Sequence, residues 1–247
     1  MSVCLGVHFI FLNETKKDLS LIISIETSTK VCSVALHENG VLLGDNSLWV
    51  AQSHSVMLTT MMEDVVKHAQ RSMHEIDAVA VAKGPGSYTG LRIGTATAKG
   101  LCFALDKPLI GINSLTAMAA ALQGQVPGNH WFCPMIDARR MEVYCAIYDQ
   151  HLGEQQTTEA KIIDGDSFKD ILDHQTLVFF GDGAAKCQEV LGQSPNALFA
   201  SEFHPTARSV GKLAHQAYEN QQFEDLAYFE PFYLKDFVAL PSKKFKL

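Results

Sequence analysis

The chain has 247 residues, of which 47% are hydrophobic and 19% charged, with a formal net charge of −7. This length is sufficient for one large domain or two small domains with a substantial buried core. No apolar run approaches the roughly 20 residues that cross a bilayer, and no strong basic cluster is present, which disfavours a membrane protein and autonomous nucleic-acid binding.

The first half of the chain predicts three strands followed by alternating helices and strands. Apolar runs separated by turn residues, including an Asn39-Gly40 hairpin signal, predict consecutive strands at 21–25, 31–37 and 41–47. Helical spacing of apolar residues and short apolar runs then predict a helix at 55–70, a strand at 78–82, a helix ending near 105, a strand at 109–112 and a helix at 114–122. This order is that of a ribonuclease H-like unit.

The second half repeats this order more weakly after a Gly- and Pro-containing linker at 123–129. Strands are predicted at 132–137, 142–148 and 177–180, and a glycine turn at 181–184 leads into a helix at 186–191. The chain is therefore predicted to be an α/β protein with two ribonuclease H-like domains, the architecture of the actin/sugar-kinase/Hsp70 superfamily.

A glycine-rich segment between the predicted strand at 78–82 and the following helix is the most informative motif. We call its turn, residues 83–87, the glycine loop. A strand, a glycine turn and a helix bring unpaired N–H groups and a positive dipole end together, which suits a phosphate, a carboxylate or a closely approaching backbone. Lys83 precedes the glycines rather than following them, so the segment is not a P-loop. The residues alone leave an anion site and a tightly packed turn open.

This segment, Lys83-Gly-Pro-Gly-Ser-Tyr-Thr-Gly-Leu-Arg-Ile-Gly94, resembles the signature of the TsaB (YeaZ) family. Further matching segments are Ile25–Thr29, Cys32–Leu36, Ser53–Ser55, Pro108–Leu115, Asp137–Tyr144 and Pro231–Lys235. The resemblance covers residues 21 to 236. It implies an N-terminal extension at 1–20, which we expect to be disordered or loosely packed, an N-terminal domain at 21–122 with the partner interface, and a smaller C-terminal domain at 130–247 with a tail.

The histidines and cysteines do not predict a metal site. Ten histidines are present, but none forms His-x-x-x-His or His-Glu-x-x-His, the spacing that places two ligands on one helical face. The six cysteines are scattered without Cys-x-x-Cys spacing, which indicates a reducing compartment and argues against a disulfide scaffold or zinc ribbon. We predict no metal and no cofactor.

A nucleotide-binding ATPase or kinase-like enzyme of the same superfamily is the alternative interpretation. In that superfamily, an acid after the first strand helps to hold hydrated Mg²⁺ and glycine turns contact phosphates. The candidate nucleotide-binding residues are Glu26, Gly84, Gly86 and Asp137. Glu26 stands where most TsaB sequences have aspartate, and no acid pair near a glycine turn stands out as a general base, so we predict no catalytic residue.

The resemblance implies a non-catalytic scaffold in the complex that transfers threonylcarbamoyl to adenosine 37 of tRNAs reading ANN codons. The chain would bind the catalytic subunit TsaD, with the ATPase TsaE in the larger complex, in the cytoplasm. It would meet tRNA only through the complex and form a homodimer when alone. The candidate contacts on the two N-terminal helices are Met57, Thr60, Met61, Leu91, Thr95, Ala98 and Cys102. The sequence leaves open whether these side chains contact a partner or cover the chain's own sheet.

Overall fold

The computed structural model describes residues 19–50, 54–200 and 203–235. Residues 1–18 of the predicted N-terminal extension, and residues 236–247 of the predicted tail, lie outside these ranges. Two five-stranded sheets form the framework of the described chain. Within the described ranges, no helix combines the length and apolar character needed to cross a membrane.

The first sheet has the strand order β3-β2-β1-β4-β5. Its strands are β1 (Leu21–Glu26), β2 (Cys32–Glu38), β3 (Val41–Leu48), β4 (Ala78–Gly84) and β5 (Leu109–Asn113). Strand β2 is antiparallel to β1 and β3, whereas β4 is parallel to β1 and β5. Between and after these strands come the helices α1 (His54–His68), α2 (Tyr88–Leu105) and α3 (Ser114–Leu122).

The second sheet repeats the order of the first as β10-β9-β6-β7-β8. Its elements are β6 (Trp131–Asp137), β7 (Glu142–Tyr148), β8 (Glu154–Ile162), the short helix α4 (Lys169–Leu172), β9 (Leu177–Phe180), the short helix α5 (Gln188–Leu191) and β10 (Ala197–Ala200). The repeated order, with three consecutive antiparallel strands in each half, confirms the predicted α/β fold with two ribonuclease H-like halves. Strands β8 and β10 were not predicted.

A sixth helix, α6 (Ala207–Glu219), follows the second sheet in sequence but contacts strands β1, β2 and β4 of the first sheet. No helix was predicted from the sequence at 207–219. The predicted boundary between the two domains, at residues 122 and 130, stays a prediction. The contacts of α6 with the first sheet do not measure which segments fold independently.

The first sheet buries apolar residues on both faces. Ile23 and Ile25 face a cluster that contains side chains of α1 and α2. Ile22, the residue before Ile23, faces a separate cluster with Ala117 of α3 and Val210 of α6. Because side chains alternate along a strand, α1 and α2 lie on one face of this sheet, and α3 and α6 lie on the other.

Helix α6 approaches the sheet closely at Gly211. A Cβ atom there would overlap the imidazole ring of His37 and lie 2.9 Å from Ser24 Oγ. His37 is buried, and this burial lowers its pKa to about 4, with the Asp45 carboxylate opposing the shift. The neutral imidazole and the missing Cβ together allow α6 to lie directly on β1 and β2.

We expect Gly211→Ala to lower the free energy of unfolding by about 1–3 kcal/mol, because the added methyl group forces α6 away from His37. Gly100→Ala is the matched control, since Gly100 is also helical but has open space around the position of a Cβ. The control should raise stability by roughly 0.5–1 kcal/mol. Urea unfolding measures both changes, and equal effects of the two substitutions would contradict the close approach of α6.

Candidate functional site

The turn after β1 and the glycine loop before α2 are in direct backbone contact. Ser87 N–H donates to Ser28 O at 2.6 Å, and Thr27 Oγ1 donates to Gly90 O at 2.9 Å. A Cβ at Gly86 would overlap Ser28 O, and one at Gly90 would overlap Thr27 O. These two glycines are therefore required by the close approach of the Thr27-Ser28 turn, which occupies the inner side of the loop.

The chain segment after α6 covers the outer side of the same loop. Phe232 N–H donates to Lys83 O at 2.7 Å, and Lys83 Nζ lies 3.0 Å from Glu224 Oε1. The Tyr233 ring lies against the Tyr88 ring, with 4.9 Å between their centroids. The glycine loop is thus enclosed between the Thr27-Ser28 turn and residues 224–233.

Glu26 lies at the carboxyl end of β1, beneath this contact, and is fully buried. Its Oε1 accepts a 2.6 Å hydrogen bond from Ser28 N–H, whereas its Oε2 has no partner among the described residues. Burial raises the pKa of Glu26 to about 7, and the hydrogen bonds from Ser28 only partly offset that effect. Close to neutral pH this carboxyl group is therefore a weak candidate for a permanently charged magnesium ligand.

Asp137 occupies the equivalent position at the end of β6 in the second sheet, but its surroundings differ from those of Glu26. Its Oδ1 accepts from Arg139 N–H at 3.0 Å and forms an ion pair with Lys186. Partial burial opposes its ionisation, but the hydrogen bonds from Lys186 and Arg139 N–H outweigh burial and lower its pKa. Of the four predicted nucleotide-binding residues, the structure brings Glu26, Gly84 and Gly86 together around one turn and places Asp137 on the other sheet.

The predicted partner contacts on α1 and α2 divide into exposed and buried residues. Met57 and Thr60 are exposed on α1. The other five are only 0–6% exposed and lie inside the chain's own fold: Met61, Leu91, Thr95, Ala98 and Cys102. In this structure a partner cannot touch those five side chains directly, because they fill the space between the two helices and the sheet.

The outward face of these helices carries a different set of residues, which we call the α1–α2 face. On α2 the exposed positions follow helical spacing at Arg92, Ala96, Gly100 and Phe103, and on α1 they include Val56, Met57 and Thr60. Phe103 is 83% exposed and Val56 is 72% exposed. Small residues in the middle of the α2 stripe, flanked by exposed apolar side chains, form a surface that another helix can approach closely.

The described residues do not form a cluster of metal ligands. Among the residues that the structure describes, no group of three or more His, Cys, Asp or Glu side chains is arranged to hold a metal ion. The described cysteines are free and buried: Cys32, Cys102, Cys133, Cys145 and Cys187.

Comparison with known proteins places these features in a family. The family model described as "TsaD: tRNA N6-adenosine threonylcarbamoyltransferase" matches residues 48–242. The Escherichia coli tRNA threonylcarbamoyladenosine biosynthesis protein TsaB is 30% identical over 237 residues, which is 90% of this chain and 99% of that relative. The Haemophilus influenzae protein of the same name is 38% identical over 124 residues, and that match spans 50% of this chain and 51% of the relative.

A solved structure agrees with these sequence matches. YeaZ from Pseudomonas aeruginosa superposes with a TM-score of 0.73 at 27% identity, covering 87% of this chain and 100% of that one. The two halves in tandem, with the same strand order, define an α/β protein built from two ribonuclease H-like units. Among proteins of this architecture, the chain belongs to the TsaB (YeaZ) family.

The buried carboxyl group of Glu26 predicts a measurable pH dependence of stability. Between pH 4.5 and 7 the folded chain keeps a proton on Glu26 that the unfolded chain has lost, so this residue lowers the free energy of unfolding as the pH rises. Glu26→Gln removes the effect while retaining an oxygen acceptor for Ser28 N–H. The variant should match the parent chain at about pH 4 and exceed it by about 3 kcal/mol at about pH 8.

Urea unfolding of both chains at the two pH values tests this expectation. The opposite contribution of His37, whose folded pKa is about 4, is present in both chains and cancels in the comparison. Glu63→Gln, an exposed carboxyl group on α1, serves as the control and should show no pH-dependent difference. A constant difference between parent and Glu26→Gln across this range would contradict a buried, neutral Glu26.

Proposed function

We propose that the chain takes part in tRNA threonylcarbamoyladenosine biosynthesis as a non-catalytic subunit that binds the catalytic subunit TsaD. Family membership supports the pathway, because relatives of this chain carry the name of that biosynthesis. The complex would transfer threonylcarbamoyl to adenosine 37 of tRNAs reading ANN codons, with TsaE as a further subunit. The chain would work in the cytoplasm.

The α1–α2 face is the observation that carries the docking proposal. It combines exposed apolar side chains at its ends with Ala96 and Gly100 at its centre, so a partner helix could reach the α2 backbone. Single exposed apolar residues are common, but exposed apolar side chains beside small residues on a helix pair suit a protein–protein interface. The same face would support a homodimer when TsaD is absent.

The enclosed glycine loop favours a scaffold over an independent ATPase. In the isolated chain a phosphate would have to displace the Thr27-Ser28 turn to reach the Ser87 N–H group, which donates to Ser28 O. The buried Glu26 would also have to lose its proton before binding a cation. The ATPase alternative therefore requires a rearrangement that the docking proposal does not.

Substitution on the exposed stripe tests docking without disturbing the core. We expect Ala96→Arg to weaken TsaD binding by at least roughly tenfold, because a long charged side chain would stand at the centre of the interface. Gln216→Arg on α6 is the control, since Gln216 is also exposed on a helix but lies on the opposite face of the sheet. Binding is measured by titration calorimetry, with circular dichroism as the check on folding. Unchanged affinity of a folded Ala96→Arg chain would place the interface elsewhere.

Reconstitution of tRNA modification tests the functional role itself. TsaD, TsaE, tRNA and threonylcarbamoyl-adenylate are combined with and without this chain, and modified adenosine is quantified by mass spectrometry. We expect modification to depend on the chain, and the isolated chain to show no ATP turnover above a protein-free control. Full modification without the chain, or robust ATP turnover by the chain alone, would refute the scaffold role.

A further inference from the structure

A cavity of about 890 Å³ lies beside α6, on the face of the first sheet opposite the α1–α2 face. Its walls come from the β2–β3 hairpin, the residue after β3, the end of α3, residues 203–206 and the first two turns of α6. The volume lies within the range of roughly 300–1,000 Å³ that is usual for small-molecule pockets. Neither Glu26 nor the glycine loop borders it, so the cavity is separate from the predicted nucleotide-binding residues.

The charged residues that line the cavity are all basic. Arg208 and Lys212 supply the positive charge, the imidazoles of His37 and His204 also line the cavity, and no Asp or Glu is among the described lining residues. Arg208 donates to Asp45 Oδ1 at 2.8 Å, which holds its guanidinium in place, whereas Lys212 has no ion-pair partner within the described ranges. In a chain with a net charge of −7, this local excess of positive charge indicates an anionic ligand.

Two aromatic rings border the same cavity. Trp49 is 61% exposed, so its ring is accessible to a ligand in the cavity. Phe203 is held edge-on against Phe180, with ring centroids 4.9 Å apart. Aromatic faces beside Arg and Lys side chains are the combination by which proteins bind nucleotides without base pairing, since the base stacks and the cation meets the phosphate.

The start of α6 adds to the positive character of the cavity. Thr206 and Ser209 line it, and the Thr206 side chain at the N-cap position makes no hydrogen bond to the helix. The positive end of the helix dipole therefore points toward the space beside Arg208. This contribution is secondary to the two basic side chains and the two rings.

We propose that this cavity binds a nucleoside phosphate, with the base against Trp49 and the phosphate near Arg208 and Lys212. Either a free mononucleotide or an unpaired nucleotide of an RNA could supply this chemistry. The RNA source rests on the proposed function in tRNA modification, and it would give the chain its own contact with RNA on the face away from TsaD.

The fluorescence of Trp49 provides a direct test. The chain has two tryptophans, so Trp131→Phe in the full-length chain leaves Trp49 as the only one. This chain is titrated with AMP, with a single-stranded RNA of about ten nucleotides and with ribose 5-phosphate, which lacks the base. Saturable quenching by AMP supports a free nucleotide, and quenching by the RNA alone supports an RNA ligand. Ribose 5-phosphate should bind roughly five- to a hundredfold more weakly than AMP if the base stacks.

Charge reversal then tests the phosphate contact. Lys212→Glu should weaken binding at least roughly tenfold and reduce its salt dependence by about one phosphate contact. Lys67→Glu, an exposed helical lysine on α1, should bind like the parent chain. No quenching by AMP or RNA, or equal affinities of the two lysine variants, would overturn the proposal.

The titration contains no TsaD, so its failure would leave the docking proposal intact. Conversely, normal quenching by a chain that does not support tRNA modification would count against the proposed function and leave binding of a free nucleotide by the cavity intact.

Discussion

Backbone contact between the Thr27-Ser28 turn and the glycine loop is the constraint on which the rest of the structure depends. Because Gly86 and Gly90 have no Cβ, the turn can lie directly on the loop and on the first turn of α2. This contact positions α2 against β1 and keeps Glu26 buried. The same glycines that resemble a phosphate cradle in the sequence are therefore used for packing, and the acid beside them has a pKa raised to about 7.

With the loop enclosed, the surfaces available for binding lie on the two faces of the first sheet. One face presents α1 and α2 with their exposed small and apolar residues, and the other presents the basic cavity beside α6. A protein partner and an anionic ligand could occupy these faces at the same time, because the sheet separates them. We infer that this chain can serve assembly through its surfaces while its glycine loop is packed against the Thr27-Ser28 turn.

The sequence predicts local features of this fold well and non-local ones poorly. Strands β1, β2 and β4 are continuous apolar runs between turn residues, so their pattern is readable without tertiary information. Strand β8 is half-exposed and rich in Glu, Gln and Thr, and it owes its conformation to pairing with β7. Of the seven candidate contacts on α1 and α2, five are buried and two are exposed, since periodicity cannot tell which face meets the chain's own sheet. The cavity draws on distant segments, so no local pattern marks it.

Hydrogen exchange of this chain, measured with and without TsaD, tests the central claim most directly. The account predicts that binding slows amide exchange in α1 and α2, while exchange in α6 and in the second sheet is unchanged. Slower exchange in α6 with no change in α1 and α2 would contradict it, because the partner would then occupy the face of the sheet that carries the cavity.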